Sequence, residues 1–249
     1  MRSFLLALIF TMIFTSLSLA QQPVLRIGID APYPPFAYND PKTGKLTGFD
    51  FDMAEALCKE LNRKCEISVV PFDDIIPNIV AGKLDIGVAG MAKKPEREAL
   101  VLFSDKYFRS SSMFISLSSI KEITPEVLKG KKIGVQSQTT QEDFLKKSYG
   151  DIATIVPMKS FDDIIQAAIN KDIDLAFIDG LPGYEFLRTP KGEQFDIAGE
   201  PIKLGDGSCV VLDKKLTQER DAINKAILKL RNSGEYQQIN RKYFEFDIY

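Results

Sequence analysis

Histidine and tryptophan are absent from this 249-residue chain, and cysteine occurs only three times. Without His, neither a Ser-His-Asp nor a Cys-His nucleophile can be assembled, and every His-containing zinc site is excluded. Hydrolytic chemistry is left to carboxylates or lysine. A basic excess is missing too. Lys and Arg number 32 against 34 Asp and Glu, a net charge of −2, which argues against a binder of nucleic-acid phosphates. Sixteen Gly and thirteen Pro are ordinary counts, so the chain is not of low complexity. Beyond the first twenty residues, no stretch is long and apolar enough to cross about 30 Å of hydrocarbon. The length allows one large domain or two modest ones.

Residues 1–20 read as a leader. Arg2 precedes the apolar run Phe4 to Phe14, and the segment closes on Ser18-Leu19-Ala20. A positive start, a short apolar core and small residues before the cut predict a secretory signal peptide. Gln21 follows the cut, where lipid attachment would require Cys. The mature chain is expected to begin there and to be soluble outside the cytoplasm.

Export makes the cysteines readable. Cys58 and Cys65 lie in CKELNRKC, between an apolar-periodic stretch and the next strand. In an oxidising compartment a disulfide is expected across that turn, the alternative being two reduced thiols. Cys209 has no evident partner and reads as a small buried hydrophobe.

The chain repeats itself. FDDIIPNIVAGKLDIGVAG from Phe72 recurs from Phe161 as FDDIIQAAINKDIDLAFID, without a gap, at an offset of 89. Each copy predicts a helix opening at its Asp pair. The apolar face runs through Ile75, Ile76, Ile79 and Val80 in the first copy, and through Ile164, Ile165, Ala168 and Ile169 in the second. Strands at Asp85–Ala89 and Asp174–Ile178 follow, apolar enough for a parallel sheet covered on both faces. Arg26–Asp30 and Lys132–Gln136 form a second matching pair, each a strand entering a turn. The fold class is α/β, with two similar βαβ lobes.

Open parallel sheets bind ligands beyond the carboxyl ends of their strands. Asp30 ends the first strand and is followed by the stiff loop Pro32-Tyr33-Pro34-Pro35-Phe36. Gly90 and Asp179 occupy equivalent positions in the two copies. Facing each other, a carbonyl at Gly90 and the Asp179 carboxylate suit a cation. Opposite polarity lies close by. Pro95 with Glu96 marks a helix start, placing Arg97 on its first turn. Thr139 with Glu142 reads as a capping box opening a second helix, whose free N–H groups invite an anion. An Arg fork and a helix N-terminus suit a carboxylate.

GFDFDMAEALCKEL, from Gly48 to Leu61, resembles the signature of family-3 bacterial solute-binding proteins, the periplasmic polar amino-acid receptors of ABC importers. RIGIDAPYPPF, PEREALVLFSDKYF, KGKKIGVQSQTTQ, GDGS and RKYFEFDIY extend the likeness over the whole mature chain. It is most similar to the lysine/arginine/ornithine- and histidine-binding branch, which carries a disulfide at the spacing of Cys58–Cys65.

The resemblance implies a type II periplasmic-binding-protein fold, with two lobes joined by a two-strand hinge. Lobe 1 would hold residues 21–108 and 206–249, and lobe 2 residues 109–205. The crossover strands would lie near Phe108–Ser112 and Gly205–Ser208. It also implies ligand contacts. Arg97, helped by Ala92 and Thr140, would hold the ligand carboxylate, and Asp179 with the Gly90 carbonyl its ammonium. Tyr33 and Phe72 would cover its side chain. Asp30 would meet the far end, with Ala89, Met91 and Gln136 completing the wall.

Two departures from the family pattern bear on specificity. Ala92 stands where the family has Ser or Thr, and Ala89-Gly90 resembles the glutamine receptor. The expected ligand is a basic L-amino acid, namely arginine, lysine, ornithine or histidine, with glutamine or another polar amino acid as the alternative. An ABC permease is the expected partner, the chain acting as a monomer with no cofactor, metal or catalytic group. A periplasmic cyclohexadienyl dehydratase, acting on prephenate or arogenate, is a different class on the same fold. No second catalytic group beside Asp30 or Asp179 is evident for it.

Overall fold

The computed structural model describes residues 23–249, so the leader expected over residues 1–20 lies outside the described residues. From Leu25 to Phe108 the elements are β1 (Leu25–Ile29), a small hairpin β2 (Tyr38–Asn39) and β3 (Leu46–Thr47), α1 (Phe49–Glu60), β4 (Cys65–Val69), α2 (Phe72–Val80), β5 (Ile86–Ala92), the single turn α3 (Pro95–Glu98) and β6 (Leu102–Phe108). The chain then builds β7 (Ser112–Ser116), α4 (Pro125–Leu128), β8 (Lys132–Gln136), α5 (Thr140–Tyr149), β9 (Thr154–Met158), α6 (Phe161–Ile169), β10 (Leu175–Asp179), α7 (Gly180–Leu187) and β11 (Asp196–Ile202). It returns through β12 (Ser208–Leu212) and ends on α8 (Thr217–Ser233) and α9 (Glu235–Tyr243).

Two five-stranded sheets result, in the orders β4-β1-β5-β12-β6 and β9-β8-β10-β7-β11. They share one plan. In each, the first strand of the unit lies between the second and third, both parallel to it, and an antiparallel strand lies beyond the third. In lobe 1 that antiparallel strand is supplied only after the chain has built the other sheet, and in lobe 2 it comes before the repeat begins. β12 follows lobe 2, and β7 precedes its own repeat. The duplication reaches single hydrogen bonds. Asp85 accepts from the Arg26 N–H at 2.9 Å, and its partner in the repeat, Asp174, accepts from the Lys132 N–H at 2.8 Å.

The paired helices lie as their sequences direct, with one adjustment. In α2 the buried face is Phe72, Ile75 and Ile79, while Val80 is exposed and Ile76 only partly covered. The expected Ile76–Val80 edge therefore sits at the rim, because a spacing of three then four residues centres the stripe on Ile75. α6 buries Phe161, Ile164, Ile165 and Ala168, and Ser160 with Asp163 forms a full capping box at its start. A disulfide joins Cys58 on α1 to Cys65 at the head of β4, and Cys209 is free and buried. α8 buries Ile223, Ala226, Ile227 and Leu230 and stops at Gly234, which takes φ 82°. Such a left-handed residue is the usual glycine helix terminator.

The chain passes between the sheets at residues 109–111 and 203–207, neither of which is a strand. The sequence reading placed crossover strands there. Strand pairing resumes only at Ser208 opposite Phe108. The two passages offer short irregular backbone, in which φ and ψ are free of ladder hydrogen bonds.

Candidate functional site

A cavity lies between the sheets, at the carboxyl ends of the strands of both. From one lobe it is lined by Asp30, Tyr33, Phe72, Ala89, Gly90, Ala92 and Arg97, and from the other by Gln136, Thr139, Thr140 and Asp179. Ten of the eleven expected contact residues are thereby brought together. Met91 is the exception. Its side chain is 1 % exposed and packs with Phe72, Ile75, Phe103 and Cys209 in the core.

The cause is Gly90. It holds φ +60° in the middle of β5, and the pairing of β5 with β12 slips between Met91–Cys209 and Gly87–Val211. This left-handed step breaks the in–out alternation, so Ala89, Gly90 and Ala92 all reach the cavity while Met91 turns back. A side chain there would be strained. The Gly90 N–H donates to the Tyr107 hydroxyl at 3.0 Å, and its carbonyl accepts from Ser208 Oγ at 2.9 Å.

Arg97 projects from α3 beneath Ala92. Its Nη1 donates to the Ala92 carbonyl at 2.8 Å and its Nη2 to the Gln138 carbonyl of the other lobe at 2.6 Å. The guanidinium lies 5.4 Å from the Phe72 ring centroid and is 7 % exposed. Burial lowers its pKa to about 10. Opposite, Thr139 caps α5 by accepting from the Glu142 N–H, as expected. The return bond differs, because the Glu142 carboxylate accepts from the Gln138 N–H. Residue 138 thus has its N–H tied within its lobe and its carbonyl turned to Arg97, a conformation with φ 58°.

The negative groups are equally confined. Asp179, at the end of β10 and the start of α7, accepts from Ser110 Oγ at 2.6 Å and from the Leu181 N–H at 3.0 Å. Asp30 is approached by Gln136 Nε2 at 3.5 Å, across the gap between lobes. Burial raises both carboxyls to a pKa of about 6. Tyr33 stacks on Phe36 and meets Phe161 of the other lobe edge-on, with centroids 6.0 Å apart. The lobes also touch through Lys94 with Asp143 and through Ser137 with Asp73. They are closed on each other. Chemically, the cavity offers two half-buried carboxyls, one buried guanidinium and a flanking pair of aromatic rings.

A sequence model of bacterial extracellular solute-binding proteins, family 3, matches residues 25–246. The histidine-binding periplasmic protein of Escherichia coli K12 is 33% identical over 259 residues, covering 100% of this chain and 99% of that protein. The chain belongs to family 3 of the bacterial extracellular solute-binding proteins. Among solved structures, an ancestral arginine-binding protein bound to arginine superposes with a TM-score of 0.82 at 32% identity, covering 90% of this chain and 99% of that one. The ancestral arginine-binding protein bound to glutamine gives the same TM-score and identity, covering 90% and 98%. These relatives and the family are solute-binding receptors, not enzymes, and among the described residues no helix is long and apolar enough to cross a membrane.

Three cavity residues of this family-3 protein, and one behind its wall, were not among the contacts expected from the sequence. Ser110 and Ser208 hold Asp179 and Gly90. Phe161 closes the aromatic side, and Tyr107 stands behind Gly90. The run Ser110-Ser111-Ser112 beside a crossover was the one available sign, since polar residues in a run between two apolar strands need partners.

Proposed function

We propose that this family-3 protein is an extracytoplasmic receptor, which takes a free basic L-amino acid between its lobes and delivers it to the membrane permease of an ABC importer. The observation that carries the reading is the charge count of the cavity. Ionised, Asp30 and Asp179 supply two negative charges and Arg97 one positive. The complement is a small molecule with two cations and one anion, which describes arginine, lysine or ornithine. A neutral side chain such as that of glutamine would leave one buried carboxylate with amide donors alone, and buried charge without a counter-charge is costly.

In this reading Arg97 and the Thr140 N–H receive the ligand carboxylate, while Asp179 and the Gly90 carbonyl receive its ammonium. Tyr33 and Phe72 flank the aliphatic chain, and Asp30 takes the distal cation. The irregular passages at residues 109–111 and 203–207 serve as the hinge, and hinge closure around ligands is a known repertoire of periplasmic binding proteins. Periplasmic location and a leader removed before Gln21 accord with the periplasmic relatives.

A thermal-shift panel of arginine, lysine, ornithine, histidine, glutamine and glutamate tests the assignment. A ligand at one hundred times its Kd stabilises the fold by about 2.7 kcal/mol, and that shift is expected for basic amino acids. Stabilisation by glutamate in preference to arginine would reverse the charge argument.

A further inference from the structure

Gly90 is a cavity residue whose peptide groups are held by side chains from elsewhere in lobe 1. Its N–H meets the Tyr107 hydroxyl of β6, and its carbonyl meets Ser208 Oγ of β12. The Tyr107 hydroxyl in turn donates to Asp50 Oδ1 at 2.7 Å. Asp50 is 2 % exposed and stands in the first turn of α1, where its own N–H donates to the Phe36 carbonyl. Tyr107 is fully buried. Its ring stacks on Phe49 at an interplanar angle of 4°, and its carbonyl accepts from the Tyr236 hydroxyl at 2.7 Å.

A left-handed glycine that the β5–β12 register skips has little backbone reason to stay at one angle. Here each group is tied to a side chain, one of which is immobilised in turn. We infer that Tyr107, anchored by Asp50, and Ser208 are positioning residues that fix the Gly90 peptide so that its carbonyl meets the α-ammonium of the ligand. Asp50 and Tyr107 do not line the cavity. They act on the ligand through Gly90 alone. This rests on the amino-acid reading above and adds to it a specificity device behind the wall.

The consequence is selective. Tyr107→Phe keeps the ring and its stacking but leaves the Gly90 N–H without an acceptor. The carbonyl orientation is loosened, and only a ligand bearing an α-ammonium feels the change. The experiment compares L-arginine with 5-guanidinopentanoate, and L-lysine with 6-aminohexanoate, by calorimetry on the wild-type chain and on Tyr107→Phe. Each second compound lacks only the α-amino group. Tyr107→Phe is expected to weaken the amino acid about tenfold and the des-amino analogue less than twofold.

Equal losses for both compounds of a pair would mean that Tyr107 merely supports the fold, and would overturn the proposal. No loss for the amino acid would overturn it as well. If Tyr107→Phe does not fold, Ser208→Ala removes the second tie and is read by the same comparison, with the same two overturning results. A wild-type chain that binds neither arginine nor lysine would defeat the basic-ligand reading and, with it, the proposal. A wild-type chain that binds one of them while Tyr107→Phe loses both compounds equally would defeat the proposal alone.

Discussion

Arg97 is a buried cation whose hydrogen-bond partners are two backbone carbonyls. Carbonyl dipoles compensate a guanidinium only partly, which is why burial draws its pKa down to about 10, and a ligand carboxylate would complete the compensation. Arg97→Ala is accordingly expected to cost about 3–5 kcal/mol of binding, because the ligand anion is left buried without a counter-charge. Calorimetry giving less than a tenfold loss would place the carboxylate elsewhere. The two acids make a converse prediction. Asp30 and Asp179 have their pKa values raised to about 6 by burial, and a cationic ligand needs both ionised. Affinity should be level between about pH 7 and pH 8 and fall below about pH 6, approaching about tenfold per pH unit for each carboxyl that must shed its proton. Ser110 donates to Asp179, and that bond favours the ionised form. Ser110→Ala should therefore move the fall to higher pH. A titration curve that does not move would separate Ser110 from the ammonium site.

At the scale of elements, the start of α1 carries a cost that pH can reveal. Burial raises Asp50 to a pKa of about 8, the Tyr107 hydrogen bond offsetting only part of the shift. Its folded pKa exceeds its unfolded value of about 3.9, so the folded state holds the extra proton between the two. The contribution of Asp50 to stability is complete below pH 4 and is lost as pH rises toward 8. Asp30 and Asp179 behave alike but are largely spent by pH 6, leaving Asp50 the carboxyl that governs the interval above. Between pH 6 and pH 9 the chain should lose about 2–3 kcal/mol of stability, and Asp50→Asn should flatten that slope in denaturant titrations. An unchanged slope would show that the loss arises elsewhere.

Elements also mark what could be seen beforehand. The two FDDII helices, their strands and the equivalence of Gly90 and Asp179 were legible, because a duplicated motif records a local period and an identical place in each sheet. Arg97, Asp30 and Asp179 followed from strand ends, where an α/β sheet exposes its residues. Met91 was misplaced because one residue with positive φ reverses the alternation, and β5 carries no local mark of it beyond the glycine. Tyr107, Asp50 and Ser208 escaped for a different reason. Their hydrogen bonds join residues 17, 57 and 118 positions apart, and tertiary pairing of that kind leaves no period to read.

For the molecule as a whole, the arrangement described is the closed one, and several contacts exist only while the lobes meet. Lys94 of lobe 1 pairs with Asp143 on α5 of lobe 2, with the Lys94 side chain 11 % exposed. Neither residue lines the cavity. Its main route to a ligand is the open–closed equilibrium, since apparent affinity scales with the fraction of molecules competent to bind, while the Asp143 charge also reaches Arg97 and favours its protonated form. Asp143→Asn removes the charge at one end while keeping an oxygen in place. It should lower affinity for a basic amino acid about threefold to tenfold, a loss of about 1 kcal/mol in a half-shielded pair. The loss should come from faster release, because the open form that first meets the ligand lacks the contact. High salt should weaken the wild type toward the variant and change the variant less, since partly exposed charges are screened. Small-angle scattering supplies the structural half of the test. At saturating ligand both proteins should reach the same compact state, with Asp143→Asn needing more ligand to arrive there. Equal affinities at low salt would show that this ion pair contributes nothing to closure.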